Sequence, residues 1–435
     1  MEDFQKIYSE KLTTPEGAAK LIESNSCIAA DIALSQPFTL YKAIAERVRK
    51  GELKNLTQHS LLDTEAAPFM TDAELAENYR GITWFSQAFA RKAVNAGIMD
   101  VMPAYYRDIP HLLGDVVSPD VYVGVVSPMD KHGYFTTGTS HSVSAGILKS
   151  AKKVILEVNP NMPRSLSSKL IHISEVDALY ENDAPLPTVP APHIDETSKK
   201  ISDYIVGEIP NGATLQLGIG SIPDAVALGL KGHKHLGIHT EMFTNSMIDL
   251  IKCGAVDNSM KPIHTGKTVA TFALGSREMY DYIDDNPAME ILPVNYVNDP
   301  AVICQHPNFI SINAALEVDF YGQVCAEGLG TKHISGTGGQ ADFVRGAIQS
   351  EGGKSFIAFS STAAHGTVSR ITPTLTPGSP VSTSKNDVDM IVTEYGIAKL
   401  RGRSLSQRTK ALIAIADPKF RDELTFQAKK ENIII

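Results

Sequence analysis

The sequence has few cysteines and no long apolar stretch, and both absences exclude classes of protein. Its four cysteines are far apart and form no C-x-x-C pair: Cys27, Cys253, Cys304 and Cys325. This spacing argues against a zinc ribbon or a disulfide framework and favours isolated buried thiols. No apolar run is long enough to cross a bilayer, so we expect no membrane association.

The chain also lacks an excess of positive charge. Its formal net charge is -9, and Lys and Arg form no cluster, which argues against binding to nucleic acid because phosphate contacts need such clusters. The first residues, "MEDFQKIYSEKLTTPEGA", carry acids early and resemble neither a secretory signal nor an Arg-rich transit peptide. We therefore expect a cytoplasmic protein.

The length and composition are typical of a water-soluble protein with more than one domain. The chain has 435 residues, 43% of them hydrophobic and 20% charged, and this length favours two large domains. The segment "ENDAPLPTVPAPHIDE" contains Pro185, Pro187, Pro190 and Pro192, which preclude a helix or a central strand. The sequence therefore predicts an N-terminal domain over 1–184, a linker over 185–196 and a C-terminal domain over 197–435.

Strand-like and helical patterns alternate in both halves of the chain. In the first half, "SCIAADIAL", "VYVGVVSP" and "KKVILEVN" read as strands, while "FTLYKAIAERVRKG" and "AFARKAVNAG" read as helices. In the second half, "ATLQLGIG", "HLGIH", "PAMEILPVNYV" and "FISINAALEVDFYGQV" read as strands, and "DAVALGLKG", "SMIDLIKCG" and "ADFVRGAIQS" as helices. This alternation predicts an α/β fold with two open, mostly parallel sheets.

A carboxylate stands at a predicted strand-to-helix junction in "KHLGIHTEMFTNSMIDLI". The apolar run before His239 and Thr240 ends at Glu241, and a helical pattern follows. In an open α/β sheet, ligands bind outside the carboxyl ends of the strands, so Glu241 is a candidate functional residue. The alternative is that Thr240 caps the helix and Glu241 only complements the helix dipole.

The first glycine motif is "LQLGIGSIPDAVALGL". A strand leads into Gly218-x-Gly220, and Pro223 stands at an expected first helical position, so backbone N–H groups and a helix N-terminus converge there. Such a loop suits a phosphate or an oxyanion, and the alternative is a tight turn that needs glycine. A remote alternative is an NAD-dependent oxidoreductase, but Pro223 replaces the third glycine of the dinucleotide fingerprint.

The second glycine motif is "HISGTGGQADFVRGA". Gly336, Gly338 and Gly339 precede Gln340 and a helix expected to begin near Asp342. Such a turn presents backbone donors beside a side-chain amide, and an oxyanion needs donors that are fixed in advance. Two donor loops and a carboxylate nucleophile together supply the parts for acyl transfer.

Other patterns point less clearly to chemistry. His233, His235 and His239 lie close together in sequence, but Lys234 intervenes and no further ligand completes a tetrahedral set, so we expect no metal site. No G-x-S-x-G motif is present, which argues against a serine hydrolase. The loop "SPMDKHGYFTTGTSHS" carries His132, Tyr134, Ser140 and His141, and either lines a pocket or forms a polar surface.

Four motifs follow one another along the chain: "LQLGIGSIPDAV", "HLGIHTEM", "SGTGGQADFVRGA" and "VTEYGIAKLRGRSLSQRTKALIAIADPKFRDEL". Together they resemble the acetyl-CoA hydrolase/transferase family, and within it the 4-hydroxybutyrate and butyryl-CoA:acetate CoA-transferases. The first half adds "VVSPMDKHGYF" and "EVNPNMPR", so the resemblance spans nearly the whole chain.

This resemblance implies a CoA-transferase fold with the active site between two α/β domains, usually as a homodimer. It implies that Glu241 becomes acylated and then carries CoA as a thioester, without a metal or a tightly bound cofactor. The family's CoA-binding stretch falls on Gly218, Ile219, Gly220, Ser221 and Ile222, and its oxyanion position on Gly339. Gly338 and Gln340 flank that position, and Asn313 resembles a family residue near the CoA chain.

The expected substrates are a short-chain acyl-CoA, butyryl-CoA or 4-hydroxybutyryl-CoA, and a carboxylate such as acetate, as in fermentation. Thr240, Asn245 and Gln340 supply polar groups near the motifs, whereas a dicarboxylate would need a dedicated cation. Arg91 and Arg345 are candidates for that cation, but no pattern directs either toward the site. The alternative activity is acyl-CoA hydrolysis, in which water attacks the same glutamyl thioester.

Overall fold

The protein is built from alternating strands and helices, as seen in a computed structural model that describes residues 3–190 and 192–434. The strands, numbered in chain order, are β1 (Cys27–Ala29), β2 (Leu56–Ser60), β3 (Tyr79–Thr83), β4 (Asp100–Val101), β5 (Val121–Val126), β6 (Tyr134–Thr136), β7 (Lys153–Val158), β8 (Leu170–His172), β9 (Ala178–Glu181), β10 (Thr214–Leu217), β11 (Gly237–Phe243), β12 (Thr268–Ala273), β13 (Met289–Ile291), β14 (Phe309–Asn313), β15 (Glu317–Asp319), β16 (Val324–Cys325), β17 (Gly328–Leu329), β18 (Lys332–His333), β19 (Lys354–Ala358), β20 (Thr362–Ala363), β21 (Val368–Ser369), β22 (Ile371–Thr372), β23 (Met390–Thr393) and β24 (Gly396–Lys399).

The α-helices, also numbered in chain order, are α1 (Phe4–Lys11), α2 (Pro15–Ala19), α3 (Phe38–Arg49), α4 (Pro68–Thr71), α5 (Ala88–Asn95), α6 (Ile109–His111), α7 (Ser144–Ser150), α8 (Glu196–Val206), α9 (Ser221–Gly229), α10 (Asn245–Lys252), α11 (Arg277–Ile283), α12 (Val294–Val297), α13 (Pro300–Ile303), α14 (Gln340–Gln349), α15 (Leu405–Ala414) and α16 (Pro418–Lys430). Among the described residues, no helix is both long enough and apolar enough to cross a membrane.

The first structural unit comprises Met1–Val189 together with Val269–Val297. Its main sheet has seven parallel strands in the order β4-β3-β2-β1-β5-β7-β9. All six residues of β5 are buried, as expected for an inner strand of a parallel sheet that is covered on both faces.

The segment 269–297 is tied to the rest of the first unit by backbone hydrogen bonds. The N–H of His141 donates to the carbonyl of Thr271 at 3.0 Å, and the N–H of Ala273 donates to the carbonyl of Thr139 at 2.8 Å. The Thr271 hydroxyl also donates to the Ser142 hydroxyl at 3.2 Å. These contacts join residues that are about 130 positions apart in the sequence.

The second unit comprises Pro190–Thr268 and Asn298–Ile435. Its sheet strands follow the order β11-β10-β14-β19-β23-β24, all parallel except the last pair. The strand order reverses at β10, whose neighbours β11 and β14 lie on opposite sides of it. The carboxyl end of β10 is therefore a topological switch point, where open α/β sheets bind ligands.

One face of the second sheet is covered by α14. The ring of Phe309 in β14 stacks on that of Phe343 in α14, with 6.1 Å between centroids. Alternation along β14 places Ser311 and Asn313 on the same face as Phe309. Helix α14 therefore packs over β14 and β19, and the residue before its start, Gly339, reaches Glu241 near the carboxyl end of β11.

The predicted fold class, α/β with open parallel sheets, is confirmed by these two units. Each unit is made of two segments of the chain, whereas each predicted domain is one continuous segment. The predicted domain boundary at 185–196 therefore stays a prediction. Some predicted strands differ in extent. The stretch "PAMEILPVNYV" forms a strand only over Met289–Ile291, with a short helix at Val294–Val297, and "FISINAALEVDFYGQV" is divided into β14, β15 and β16. Helix α14 begins at Gln340, two residues before Asp342, near which it was expected.

Candidate active site

Glu241 lies inside strand β11, two residues before its end at Phe243. Helix α10 begins at Asn245, and its N-cap is Thr244. Thr240 is part of the strand, so the alternative in which Thr240 caps the helix and Glu241 complements its dipole was wrong. Glu241 projects from the carboxyl end of a parallel strand.

The Glu241 carboxylate is held by two hydrogen-bond donors. The Asn298 side chain donates from Nδ2 to Oε2 at 2.8 Å, and the backbone N–H of Gly339 donates to the same carboxyl group. The three residues come from separate parts of the second unit: β11, the start of α13 and the start of α14. This arrangement fixes the direction in which the carboxylate points.

Gly339 approaches Glu241 so closely that no larger residue fits. A Cβ built on Gly339 would overlap both Oε2 of Glu241 and Nδ2 of Asn298. Gly339 is buried and has an ordinary negative φ of -99°, so the requirement for glycine is a matter of space and not of backbone conformation. Gly338 has a φ of +57°, which glycine adopts without strain.

Burial raises the pKa of Glu241 to about 7, from an ordinary value of 4.5. The hydrogen bonds from Asn298 and Gly339 act in the opposite direction and lower the pKa, but burial outweighs them. Although the residue as a whole stays partly exposed, its carboxyl group is surrounded by protein. A carboxylate with this pKa is more basic than an ordinary one and is ionised above neutral pH.

Two buried imidazoles lie on the face of the sheet that carries Glu241. Alternation along β11 places His239 on the same face as Glu241, and its ring lies 5.0 Å from that of His306. Burial, helped by Lys261 and His264, lowers the pKa of His306 to about 3. His306 is therefore neutral at physiological pH and supplies no positive charge that would depress the pKa of Glu241.

The first glycine motif forms an open loop above β10. The N–H of Gly218 donates to the carbonyl of Ile312 at 2.9 Å, which anchors the loop to β14. Gly220 has a φ of +118° and open space around it, and Ile219 is 55% exposed. Helix α9 begins at Ser221, so Pro223 is its third residue and not its first as predicted.

Asn313 ends β14 beside this loop. A Cβ on Gly218 would lie 3.9 Å from the Cα of Asn313. The Asn313 side chain donates from Nδ2 to Oγ of Ser311 at 2.9 Å and to Oε1 of Gln216 at 3.2 Å. The structure thus brings Asn313 and Gly218 together at the switch point, and Glu241 and Gly339 together one strand away.

Gln340 and Arg345 have their own partners within the second unit. The Gln340 side chain donates from Nε2 to Oγ1 of Thr383 at 3.1 Å. Nε of Arg345 contacts the carboxylate of Asp387 at 3.0 Å. The oxyanion role predicted for Gln340 stays a prediction, and the charge of Arg345 is balanced by Asp387.

Asn298 was missed by reasoning from the sequence. It lies 57 residues beyond Glu241, and the surrounding "VNDP" carries only a helix-start signal, in which Asp299 caps α13. No spacing rule connects an asparagine there with a strand-end glutamate. Only the folded structure reveals the contact.

The histidines at 233, 235 and 239 do not converge. Nε2 of His233 contacts the carbonyl of Ile209 at 3.1 Å, Nδ1 of His235 contacts Asp257 at 2.8 Å, and His239 is buried beside His306. Among residues 3–190 and 192–434, no group of three or more His, Cys, Asp or Glu side chains is arranged to hold a metal ion.

The polar loop 127–142 belongs to the first unit. Ser140 donates from Oγ to Oδ1 of the buried Asp31 at 3.0 Å, and the ring of Tyr134 lies 4.8 Å from that of His172. These contacts give Ser140 and Tyr134 structural partners within their own unit, and whether the loop lines a pocket stays a prediction.

Comparison with known proteins identifies relatives that cover nearly the whole chain. It is 46% identical to succinyl-CoA:cyclohexane-1-carboxylate CoA transferase of Geobacter metallireducens, over 99% of this chain and 98% of the relative. It is 42% identical to 4-hydroxybutyrate coenzyme A transferase of Clostridium kluyveri, over 98% and 99%. It is 39% identical to butyryl-CoA:acetate CoA-transferase of Anaerostipes caccae, over 99% and 98%. The predicted enzyme class, a CoA-transferase, is thereby confirmed.

A solved structure and two family models agree with these relatives. The crystal structure of RipA from Yersinia pestis is 40% identical, covers 100% of both chains and superimposes with a TM-score of 0.93. The acetyl-CoA hydrolase/transferase N-terminal domain matches residues 1–190, and the C-terminal domain of the same name matches residues 275–428. The predicted resemblance is confirmed, and the chain belongs to the acetyl-CoA hydrolase/transferase family.

Proposed function

We propose that this protein transfers CoA from a short-chain acyl-CoA to a carboxylate such as acetate, with Glu241 as the nucleophile that carries CoA. The observation that supports this most directly is the Glu241 carboxylate at the end of β11, held by Asn298 and the Gly339 N–H. A buried, basic carboxylate with fixed donors beside it is suited to nucleophilic attack on a thioester.

The first half-reaction converts the acyl-CoA thioester into a glutamyl-CoA thioester on the enzyme. An oxygen of the Glu241 carboxylate attacks the thioester carbonyl, and the C–S bond breaks to release CoA thiolate with an acyl-glutamyl anhydride. The thiolate then attacks the glutamyl carbonyl of the anhydride, and the bond between that carbonyl carbon and the bridging oxygen breaks. The first carboxylate leaves, and the enzyme holds a glutamyl-CoA thioester.

The second half-reaction runs the same steps in reverse with the acceptor. The acceptor carboxylate attacks glutamyl-CoA, CoA thiolate leaves, and the thiolate attacks the acceptor's acyl carbon to regenerate Glu241. Each tetrahedral intermediate carries negative charge on oxygen, and the Gly339 N–H and the Asn298 amide are donors already placed at the carboxyl group. The protons and charges balance without a metal or a tightly bound cofactor.

CoA itself is a substrate, and we assign it to the loop of Gly218, Ile219, Gly220, Ser221 and Ile222. The exposed backbone of this loop leads into helix α9, whose N-terminal N–H groups have no side-chain cap. Backbone donors at a helix N-terminus suit the phosphates of CoA. Asn313, beside the loop, is assigned to the CoA chain.

For the acyl group we propose butyryl-CoA or 4-hydroxybutyryl-CoA, with acetate as the acceptor. The balancing of Arg345 by Asp387 supports a neutral acyl chain, because it removes one cation that would otherwise pair with a second carboxylate. We expect kcat/KM for these donors to exceed that for succinyl-CoA by about tenfold, the ratio that ~1.4 kcal/mol of unpaired charge produces. A preference for succinyl-CoA at fixed acetate would contradict this proposal.

Hydrolysis is the alternative fate of glutamyl-CoA, since water attacks the same carbonyl. The decisive measurement is the rate of CoA exchange between butyryl-CoA and acetate against the rate of thioester loss without acetate. We propose that exchange dominates.

We also propose that the enzyme works in the cytoplasm as a homodimer. Size-exclusion chromatography with light scattering tests the dimer.

The central test is mass spectrometry of the enzyme after incubation with acyl-CoA and no acceptor. CoA should be attached to the peptide that contains "HLGIHTEM", and Glu241→Gln should lose both the adduct and transfer. Glu157→Gln is a matched control, because Glu157 is also a buried carboxyl with a raised pKa, bonded to Tyr180 and Asn182 in the first unit. An unmodified intact mass during turnover would refute Glu241 as the CoA carrier.

A further inference from the structure

A pair of side-chain amides joins β10 and β14 at the switch point. Nδ2 of Asn313 donates to Oε1 of Gln216 at 3.2 Å, and Nε2 of Gln216 donates back to Oδ1 of Asn313 at 3.4 Å. Ser311 completes the group, since its hydroxyl donates to the same Gln216 oxygen at 2.9 Å and accepts from Asn313 at 2.9 Å. Three polar side chains on two strands thus form one closed network.

This network lies where a parallel sheet normally carries apolar residues. Gln216 is only 4% exposed, and its strand neighbours Leu215 and Leu217 are fully buried. A buried amide is costly unless its hydrogen bonds are made, and here both ends of the Gln216 amide have partners. The side chain is therefore held in one orientation.

The network sits directly below the proposed CoA loop. Gly218 follows Gln216 by two residues, and its N–H bonds to the carbonyl of Ile312, the residue before Asn313. Gln216 also donates to that carbonyl at 3.4 Å. Gln216 thus contacts the end of β14 at Ile312 and the side-chain amide of Asn313, and both border the loop.

The hydrogen bonds determine which group of Asn313 faces a ligand. Its Nδ2 hydrogens are directed to Gln216 and Ser311, whereas Oδ1, among the residues that the structure describes, receives only the long bond from Gln216. Asn313 is half-buried, and an amide oxygen has two lone pairs, so Oδ1 keeps the capacity to accept a further hydrogen bond. A ligand group that binds there must donate a hydrogen bond.

We propose that Gln216 is a positioning residue for CoA binding. It holds Asn313 with Oδ1 turned outward, where this oxygen accepts an amide N–H of the pantetheine arm of CoA. The inference rests on the proposed assignment of CoA to the Gly218 loop. It adds that Gln216 orients the Asn313 side chain, and that the ligand group bound there is a hydrogen-bond donor.

The test is steady-state kinetics of Gln216→Leu, which keeps the size of the side chain and removes the amide. We expect KM for acyl-CoA to rise about tenfold, as ~1.4 kcal/mol of lost binding produces, with kcat within about threefold of the parent. Gln58→Leu is the control: Gln58 is a fully buried strand glutamine of the first unit, bonded to Tyr41 and Tyr79. It should lose stability without a change in KM.

A double-mutant cycle separates positioning from a general loss of stability. If Gln216 acts through Asn313, Gln216→Leu should raise KM by less than about twofold in an Asn313→Ala background. Fully additive effects, or an unchanged KM in Gln216→Leu, would overturn the inference. If Gln216→Leu fails to fold, Ser311→Ala is a milder change that can be measured in its place, and it should also raise KM. An unchanged KM in Ser311→Ala would equally overturn the inference.

Calorimetry with free CoA distinguishes failure of this inference from failure of the proposed function. A tenfold weaker Kd for CoA in Gln216→Leu supports the inference whichever reaction the enzyme performs. Parental CoA affinity in Gln216→Leu, alongside measurable transfer, contradicts the inference and leaves the proposed function intact. Absence of CoA binding to the parent protein contradicts both.

Discussion

Replacing Glu241 by glutamine should make the protein more stable at alkaline pH. Burial raises the pKa of Glu241 to about 7, so the folded protein holds a carboxylate whose charge is poorly solvated. In the unfolded chain the same group ionises near its ordinary value of 4.5. The ionised glutamate therefore opposes folding, and a neutral amide of the same shape does not.

The sign and the pH window follow from these two values. Below pH 4.5 the group is protonated in both states, and it has no effect on the pH dependence of stability. Between pH 4.5 and about 7 the unfolded state ionises first, so stability falls as pH rises, and above pH 7 the loss is complete. A tenfold change in an ionisation constant is worth ~1.4 kcal/mol, so with partial exposure we expect a total loss of about 2 to 3 kcal/mol.

The assay compares denaturant unfolding of the parent and Glu241→Gln at pH 4.5, 6 and 8. Costs of the amide itself, such as a less favourable contact with the Gly339 N–H, do not vary with pH and cancel in the comparison. The stability of the variant relative to the parent should increase by about 2 to 3 kcal/mol from the lowest pH to the highest. Glu23→Gln should show no such increase, because the pKa of Glu23 is lowered by its surface partner Lys153 and the group titrates below this pH range. A difference that is constant with pH would refute the reasoning.

Four further predictions concern activity. The rate of enzyme acylation should rise with pH and level off above about 7, because only ionised Glu241 attacks, and a flat single-turnover profile from pH 5.5 to 8.5 would argue against it. Asn298→Leu should move this profile to higher pH, because the amide hydrogen bond lowers the pKa of Glu241, and an unmoved midpoint would contradict that role. Gly339→Ala should lower kcat by about a hundredfold or more, because the Cβ overlaps Glu241 and displaces an oxyanion donor, and an equal loss in melting temperature and activity would favour a plain turn. Double-reciprocal plots with both substrates should give parallel lines, because the first acid leaves before the acceptor binds, whereas intersecting lines would indicate a ternary complex.

The sequence predicts the parts of this fold that depend on local pattern. Alternation of strand and helix signals gave the α/β class, and the apolar run before Glu241 placed it near a strand end. The local pattern located the strand end but not its last residues, so Thr240 looked like a helix cap although the strand continues to Phe243. Cap preferences compete with strand formation, and here β11 continues through Thr240 to Phe243 before the next helix begins at Asn245.

The contacts that define the site depend on tertiary structure and were only partly accessible. Gly339 was identified from a glycine cluster and a family resemblance, and the reason for glycine, its approach to Glu241 and Asn298, is visible only in the fold. Asn298 was missed because nothing in its neighbourhood marks it. The direction of the Gln340 amide toward Thr383 is a choice of rotamer, which no sequence pattern encodes.

The interleaved path of the chain has a consequence for how the protein can be divided. A break anywhere in 185–196 would leave residues 3–190 without Thr271 and Ala273, whose backbone groups pair with His141 and Thr139. The other fragment would contain Thr271 and Ala273 but would lack their partners, His141 and Thr139. Neither piece is a whole folding module, so a fusion or truncation that respects this architecture must spare residues 269–297 as well as the proline-rich segment.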